Sequence, residues 1–347
     1  ALVSPASNGT DQPLSVNLTA NVTDADTSNL TVKYYTRRTG KARAGEDFAV
    51  VALPDTQYYS AEANGANATW FSAQTDWIVG EMDARQVKFV MHLGDITDQG
   101  ALDWQWANAT NAMYRLENKN TTLLTHGIPY SVAVGNHDQV PIGNPEGSTE
   151  LFNRYFGVHP ETGVNHFVGK PYYGGTQVPH SADNNYTLFS AGGLDFIVIS
   201  FEYDTSPDPE DMAWADALLK SHPNHRAIII THHMVNTGNP ATFSPMGQGI
   251  YDALKNNPNL MLMYGGHIHG EGRRSDTYEG RTVHSVLADY QSEVGGNGWL
   301  RIMKFSPRNN QIEFTTYSPT LNQWKTTDSS QFVLNVDLQS GRDEFSE

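Results

Sequence analysis

Five short polar clusters carry the groups that could do chemistry: Asp55-Thr56-Gln57, Gly94-Asp95-Ile96-Thr97-Asp98, Gly135-Asn136-His137-Asp138, Thr231-His232-His233 and Gly266-His267-Ile268-His269. Between them they offer carboxylate, carboxamide and imidazole donors, the set that binds divalent cations, in numbers sufficient for two ions side by side. Each cluster alone has a plainer reading. Gly-Asp after a strand is a common turn or helix cap, and Asn-His-Asp can bond its own backbone. Gly-His-Ile-His is sharper, because residues two apart on an extended segment point the same way. Five such clusters in order ask for one shared explanation.

Each cluster follows a run that reads as a buried strand: residues 48–53, 87–91, 130–134, 227–230 and 260–264. Continuous apolar runs rich in Val and Ile, separated by helical patterns, predict parallel strands covered on both faces. In such sheets ligands bind beyond the carboxyl ends of the strands, so five ligand-bearing turns would meet at one rim. The helices between them show as stripes at helical spacing: Trp70, Phe71, Trp77, Ile78 and Met82, then Leu102, Trp106, Ala109, Met113 and Leu116. Further helices are expected over 211–221 and 249–256.

In order and type these motifs resemble those of the calcineurin-like metallophosphoesterases, hydrolases with a binuclear metal centre. That family's pattern runs Asp-x-His, Gly-Asp-x-x-Asp, Gly-Asn-His-Asp/Glu, a His after a strand, then Gly-His-x-His, and the likeness spans residues 48–317. The resemblance implies an α/β four-layer sandwich, two mixed β-sheets flanked by helices. It implies that Asp95 bridges two metals, with Asp55 and His269 on the first and Asn136, His232 and His267 on the second. His137 would face the substrate phosphate without ligating, Asp138 would orient its ring, and Asp98 would support the ligands by hydrogen bonds. Of the adjacent histidines, His232 is preferred because it directly follows its strand, with His233 as the alternative.

Gln57 departs from the pattern, standing where the first motif has His. A carboxamide oxygen is a harder and weaker donor than imidazole, so among Mn, Fe, Zn, Mg and Ca it favours the harder ions at the first site. Alternatively Gln57 only hydrogen-bonds a water on that metal. Asp98 stands where purple acid phosphatases carry a ligating Tyr, so no purple ferric site is expected. The implied reaction is hydrolysis of phosphomonoesters or phosphodiesters by a hydroxide held between two ions about 3.5–4 Å apart. His137 would protonate the leaving oxygen or stabilise its charge.

Composition narrows the partners. A net charge of −16 argues against binding duplex nucleic acid, which is held mainly by clustered Lys and Arg. A small phosphoester remains acceptable, since metal ions dominate the local field. No run approaches the length of a membrane span. Zero cysteines remove disulfides, thiol catalysis and zinc–thiolate sites together. The opening at Ala1 without Met reads as a processed form, so a secreted or periplasmic location and a role in phosphate scavenging are expected.

Three stretches are expected along the chain. Residues 1–46 carry alternating segments that read as a small N-terminal β segment, an immunoglobulin-like fragment. Residues 47–337 would form the metallophosphoesterase domain, and 338–347 a frayed tail. After Gly270, runs at 281–287, 300–305, 311–317 and 332–336 predict an antiparallel addition to one sheet. The Gly-, Pro- and aromatic-rich stretch 141–185 reads as a loop walling the site, with His166 and Tyr172 as substrate contacts, and Arg273 and Arg274 could reach a phosphate. The competing reading is a secreted binding protein whose metal site has degenerated, Gln57 being its first sign.

Overall fold

The computed structural model describes residues 45–339, together with the strands Leu2–Ser4 (β1) and Thr19–Ala20 (β2). The chain divides into two compact units, Ala1–Lys41 and Ala42–Glu347. In the first, β1 and β2 pair antiparallel. The remainder of the expected immunoglobulin-like fragment and the tail beyond residue 339 lie outside the described residues.

The second unit is built on two mixed sheets. One is assembled from Phe48–Leu53 (β3), Val87–His92 (β4), Tyr130–Val132 (β5), Leu300–Ser306 (β15), Gln311–Ser318 (β16), Gln323–Lys325 (β17) and Phe332–Asn335 (β18). Its order is β17-β16-β15-β3-β4-β5, with β18 also pairing β16. The other contains Tyr173–Val178 (β6), Ser181–Ala191 (β7), Leu194–Ser200 (β8), His225–Ile230 (β9), Val235–Gly238 (β10), Ala241–Phe243 (β11), Leu260–Gly265 (β12), Gly270–Tyr278 (β13) and Arg281–Asp289 (β14). They run in the order β11-β10-β13-β14-β12-β9-β8-β7-β6.

Helices cover both outer faces. Gln57–Ser60 (α1), Ala68–Glu81 (α2), Asp103–Met113 (α3), Lys119–Thr122 (α4) and Glu150–Phe156 (α5) come from the half of the chain that builds the first sheet, while Pro209–Ser221 (α6) and Pro245–Leu254 (α7) follow strands of the second. The side-chain period of two explains why the central strands are apolar throughout. In β3, Phe48, Val50 and Ala52 enter the core between the sheets, whereas Ala49, Val51 and Leu53 face the layer containing Phe71, Ile78, Trp106 and Met113. In β9, Ile228 and Ile230 face the inter-sheet core and Ala227 and Ile229 face Met212, Leu219 and Ile250. Stacked rings join the sheets, with Phe89 and Phe189 at 4.5 Å between centroids.

The central pairs β3–β4, β4–β5, β8–β9, β9–β12 and β12–β14 are all parallel. Within each sheet their carboxyl ends therefore point one way, as the apolar runs predict. Two features differ from the sequence reading. The strands after residue 270 serve both sheets, β13 and β14 in one and β15 to β18 in the other. The stretch 141–185 is not one continuous loop but contains α5, β6 and the start of β7.

Candidate metal centre

Asp55, Asp95 and Asn136 follow β3, β4 and β5 on one sheet, and His232, His267 and His269 follow β9 and β12 on the other. The two groups meet. His267 N–H donates to Asp55 Oδ1 (3.1 Å), and His232 Nε2 lies 3.1 Å from Asp95 Oδ2 and 3.7 Å from Asp55 Oδ1. One donor atom from each of Asp95, His232 and His267 falls within 4.8 Å of the others. Asp55 (φ 38°), Asp95 (φ 51°) and His267 (φ 72°) all take left-handed backbone, uncommon for residues with a Cβ and concentrated where function holds it. The motif glycines make room for the carboxylates. A Cβ on Gly135 would lie 2.0 Å from Asp95 N, and one on Gly266 would lie 2.1 Å from Asp55 Oδ2.

The hydrogen bonds fix which atoms remain free. Leu93 O can only accept, so His232 Nδ1, 2.9 Å away, carries the proton and donates. Its Nε2 lone pair then faces two carboxylates, a repulsive arrangement unless a proton or a cation lies between them. Burial pulls the His232 imidazole down, but Asp95 and Asp55 outweigh it and push it up to about 10. Burial, with His232 and His233 nearby, holds His267 down at about 3.

Asp55, Asp95 and Asp289 are buried, and their ionic partners among the described residues are histidines. Asp55 Oδ2, Gln57 Oε1, Asn136 Oδ1, His232 Nε2 and Asp289 Oδ2 are buried without a hydrogen bond. Buried carboxylates and orphaned oxygens are costly unless paired or on a metal, so this donor set fits divalent cations. His233 lies against His267, with ring centroids 4.7 Å apart, and its Nε2 is 3.5 Å from Asn236 Oδ1. His269 is half exposed, its Nε2 4.0 Å from Asp289 Oδ2.

The surroundings hold these loops in place. Gly94 N–H donates to His92 Nδ1 (3.3 Å), leaving the His92 proton on Nε2 to donate to Thr56 Oγ1 (2.8 Å). Ser60 Oγ donates to Ile96 O (2.7 Å), tying α1 to the Asp95 loop.

Asp138 does not orient His137. Its Oδ1 accepts from Thr97 N–H (2.9 Å) and its Oδ2 from Gly135 N–H (2.9 Å) and Ile96 N–H (3.2 Å), so it clamps the Asp95 loop instead. Burial, reinforced by Asp95, pushes its carboxyl up to about 6. Asp98 holds the His137 ring: Nδ1 donates to Asp98 O (2.8 Å), with the Asp98 carboxylate at 3.5 Å.

Four other expected contacts also differ. His166 is bonded to Glu117 (2.7 Å) and stacked on Tyr114, and Tyr172 is buried beside Tyr130 and Phe167. Arg273 donates to Asp328 O (2.6 Å), and Arg274 pairs with Asp276 (2.6 Å) while lying over Phe243. Sequence reasoning missed Tyr203, whose ring centroid is 5.3 Å from that of His267, and Asp289. Both follow the rule that revealed the others, polar groups at the carboxyl ends of apolar runs, Tyr203 just beyond β8 and Asp289 closing β14.

Fold and site together define a two-sheet α/β metallohydrolase. Residues 51–271 match the calcineurin-like phosphoesterase family, and the chain belongs to that family. Metal-dependent hydrolysis of phosphoesters is the activity of this class. The chain is 33% identical over 312 residues to the Bacillus subtilis protein YvnB, spanning 85% of this chain but only 22% of that protein. A purple acid phosphatase from yellow lupin shares the fold at 16% identity with a TM-score of 0.55, over 84% of this chain and 54% of that one. A dimetal phosphatase from Danio rerio does so at 14% identity with a TM-score of 0.52, over 83% and 98%. Among the described residues no helix is long and apolar enough to cross a membrane.

Proposed function

We propose that the chain hydrolyses phosphomonoesters or phosphodiesters at a two-metal centre, with small extracellular or periplasmic phosphoesters as substrates. One observation carries this reading: orphaned buried donors from two sheets converge around Asp95, with no Lys or Arg paired to the carboxylates among the described residues. Asp95 would be shared between the ions. Asp55 and His269, with Gln57, would hold the first, and Asn136, His232 and His267 the second. When bound, the paired ions would make water acidic enough to attack and would offset charge on the phosphate oxygens.

The remaining chemistry belongs to side chains. The Nδ1–H bond to Asp98 O fixes the His137 ring and leaves Nε2 as the nitrogen that exchanges a proton with the departing oxygen. Once that ring is doubly protonated, the Asp98 carboxylate at 3.5 Å steadies its charge. Asp138, turned toward the backbone of residues 96 and 97, keeps the Asp95 carboxylate in position.

Metal analysis combined with turnover of chromogenic mono- and diesters tests the proposal. Two divalent ions per chain are expected, with His137→Ala lowering kcat by about 10²- to 10⁴-fold at unchanged metal content. A wild-type chain that takes up no metal and turns over neither ester would favour the degenerate binding protein instead.

A further inference from the structure

Asp289 closes β14 at the same end of the sheet as the His267 and His269 loop, yet no part of the five-motif pattern reaches it. Its residue exposure is 0%, and Oδ1 is engaged by Gln291 N–H (2.8 Å). Oδ2 has no hydrogen-bond partner and lies 4.0 Å from His269 Nε2. That separation is too long for a hydrogen bond. It is close to the span between two donors on opposite sides of one ion, about 4.2 Å for bonds of about 2.1 Å. Asp55 Oδ2, the other orphaned carboxylate oxygen of the first site, is also buried.

The position falls where the chain is short of a ligand. The first site lacks the imidazole of the usual first motif, its place taken by Gln57, a weaker donor whose Oε1 is likewise buried and unpartnered. A third carboxylate there would restore both the missing bond and the missing donor strength. It would also shift the site further toward oxygen-preferring ions such as Mn²⁺ and Mg²⁺.

We propose that Asp289 is a ligand of the first metal, contributing the donor that Gln57 replaces only weakly. This rests on the two-metal reading above. The test is Mn²⁺ titration of the metal-free full-length chain, with free ion followed by electron paramagnetic resonance, for wild type and Asp289→Asn. Wild type should bind two ions, and Asp289→Asn should weaken one of the two sites by about tenfold or more while leaving the other unchanged. Two sites in the variant with the same affinities as in wild type would overturn the assignment while leaving the two-metal reading intact. A wild-type chain that binds no pair of ions would overturn both.

Should the variant fail to fold, crystals of wild type soaked in Mn²⁺ decide the matter by anomalous scattering. An Asp289 oxygen within about 2.3 Å of the first ion supports the proposal. An Asp289 carboxylate bonded to His269 and remote from the ion reduces it to a positioning residue and refutes the assignment.

Discussion

Replacing Glu117 by Gln removes the one carboxylate that three side chains share, an ion cluster whose cost of breaking can be worked from the structure. The carboxylate lies 2.7 Å from His166 Nε2 and 2.5 Å from both Lys170 Nζ and Tyr130 Oη, pinning the stretch before β6 to the helical layer over the first sheet. Burial alone would raise its pKa, but His166, Lys170 and Tyr130 bring it down from 4.5 to about 2. A shift of that size is worth about 3 kcal/mol at neutral pH. Burial also lowers the Lys170 ammonium despite its partner, so part of the gain offsets its desolvation and a net loss of about 2–3 kcal/mol is expected. In a domain of this size that lowers Tm by about 3–5 °C.

The pH dependence gives the sharper test. A carboxylate with a depressed folded pKa stabilises fully above its unfolded value of 4.5, and the contribution disappears as pH falls through about 2. Thermal unfolding of wild type and Glu117→Gln at pH 7 and at pH 3.5 should therefore show a gap that shrinks by roughly 40%. A gap of zero at pH 7, or one that does not narrow on acidification, would refute the reasoning.

Glu202 should behave in the opposite sense. Burial, then Asp183, raises its carboxyl from 4.5 to about 8, so ionisation destabilises the fold as pH rises between those values. Glu202→Gln should then gain roughly 2–4 kcal/mol at pH 9 and nothing below pH 4.5 in denaturant titrations. Gly135→Ala should displace the Asp95 loop, because its Cβ would fall 2.0 Å from Asp95 N. Divalent metal affinity should drop in that variant more than Tm does, as calorimetry would detect. Adding Mn²⁺ at about 100 times its Kd to metal-free wild type should stabilise the fold by about 2.7 kcal/mol, and an unchanged Tm would argue against a preformed site.

What could be read in advance followed from strong local rules. β3 was legible because both its faces are buried, and the ligand turns because donors follow each central strand. β7 was hidden by Asn184 and Asn185, poor strand formers whose side chains are satisfied by Gln177 Oε1 (2.7 Å) and Ala182 O (2.8 Å). Leu102 continues a helical stripe in sequence but is 40% exposed, since it sits at the N-cap of α3 where the stripe has not yet turned inward. The partner of His137 was misjudged because adjacency in sequence favoured Asp138. Gly100 N–H donates to His137 O (2.9 Å), and this cross-link between loops brings residue 98 under the ring. Such a contact leaves no periodic trace.

Because half the donors hang from each sheet, a bound ion would act as a rivet through the sandwich. Sliding one sheet over the other by an ångström would part Asp95 from His232 while leaving every strand ladder intact. Ring contacts between the layers, such as Phe48 against Phe196 and Phe89 against Phe189, thereby become remote determinants of cation affinity. Loosening them should show up as ions leaking away before any strand melts.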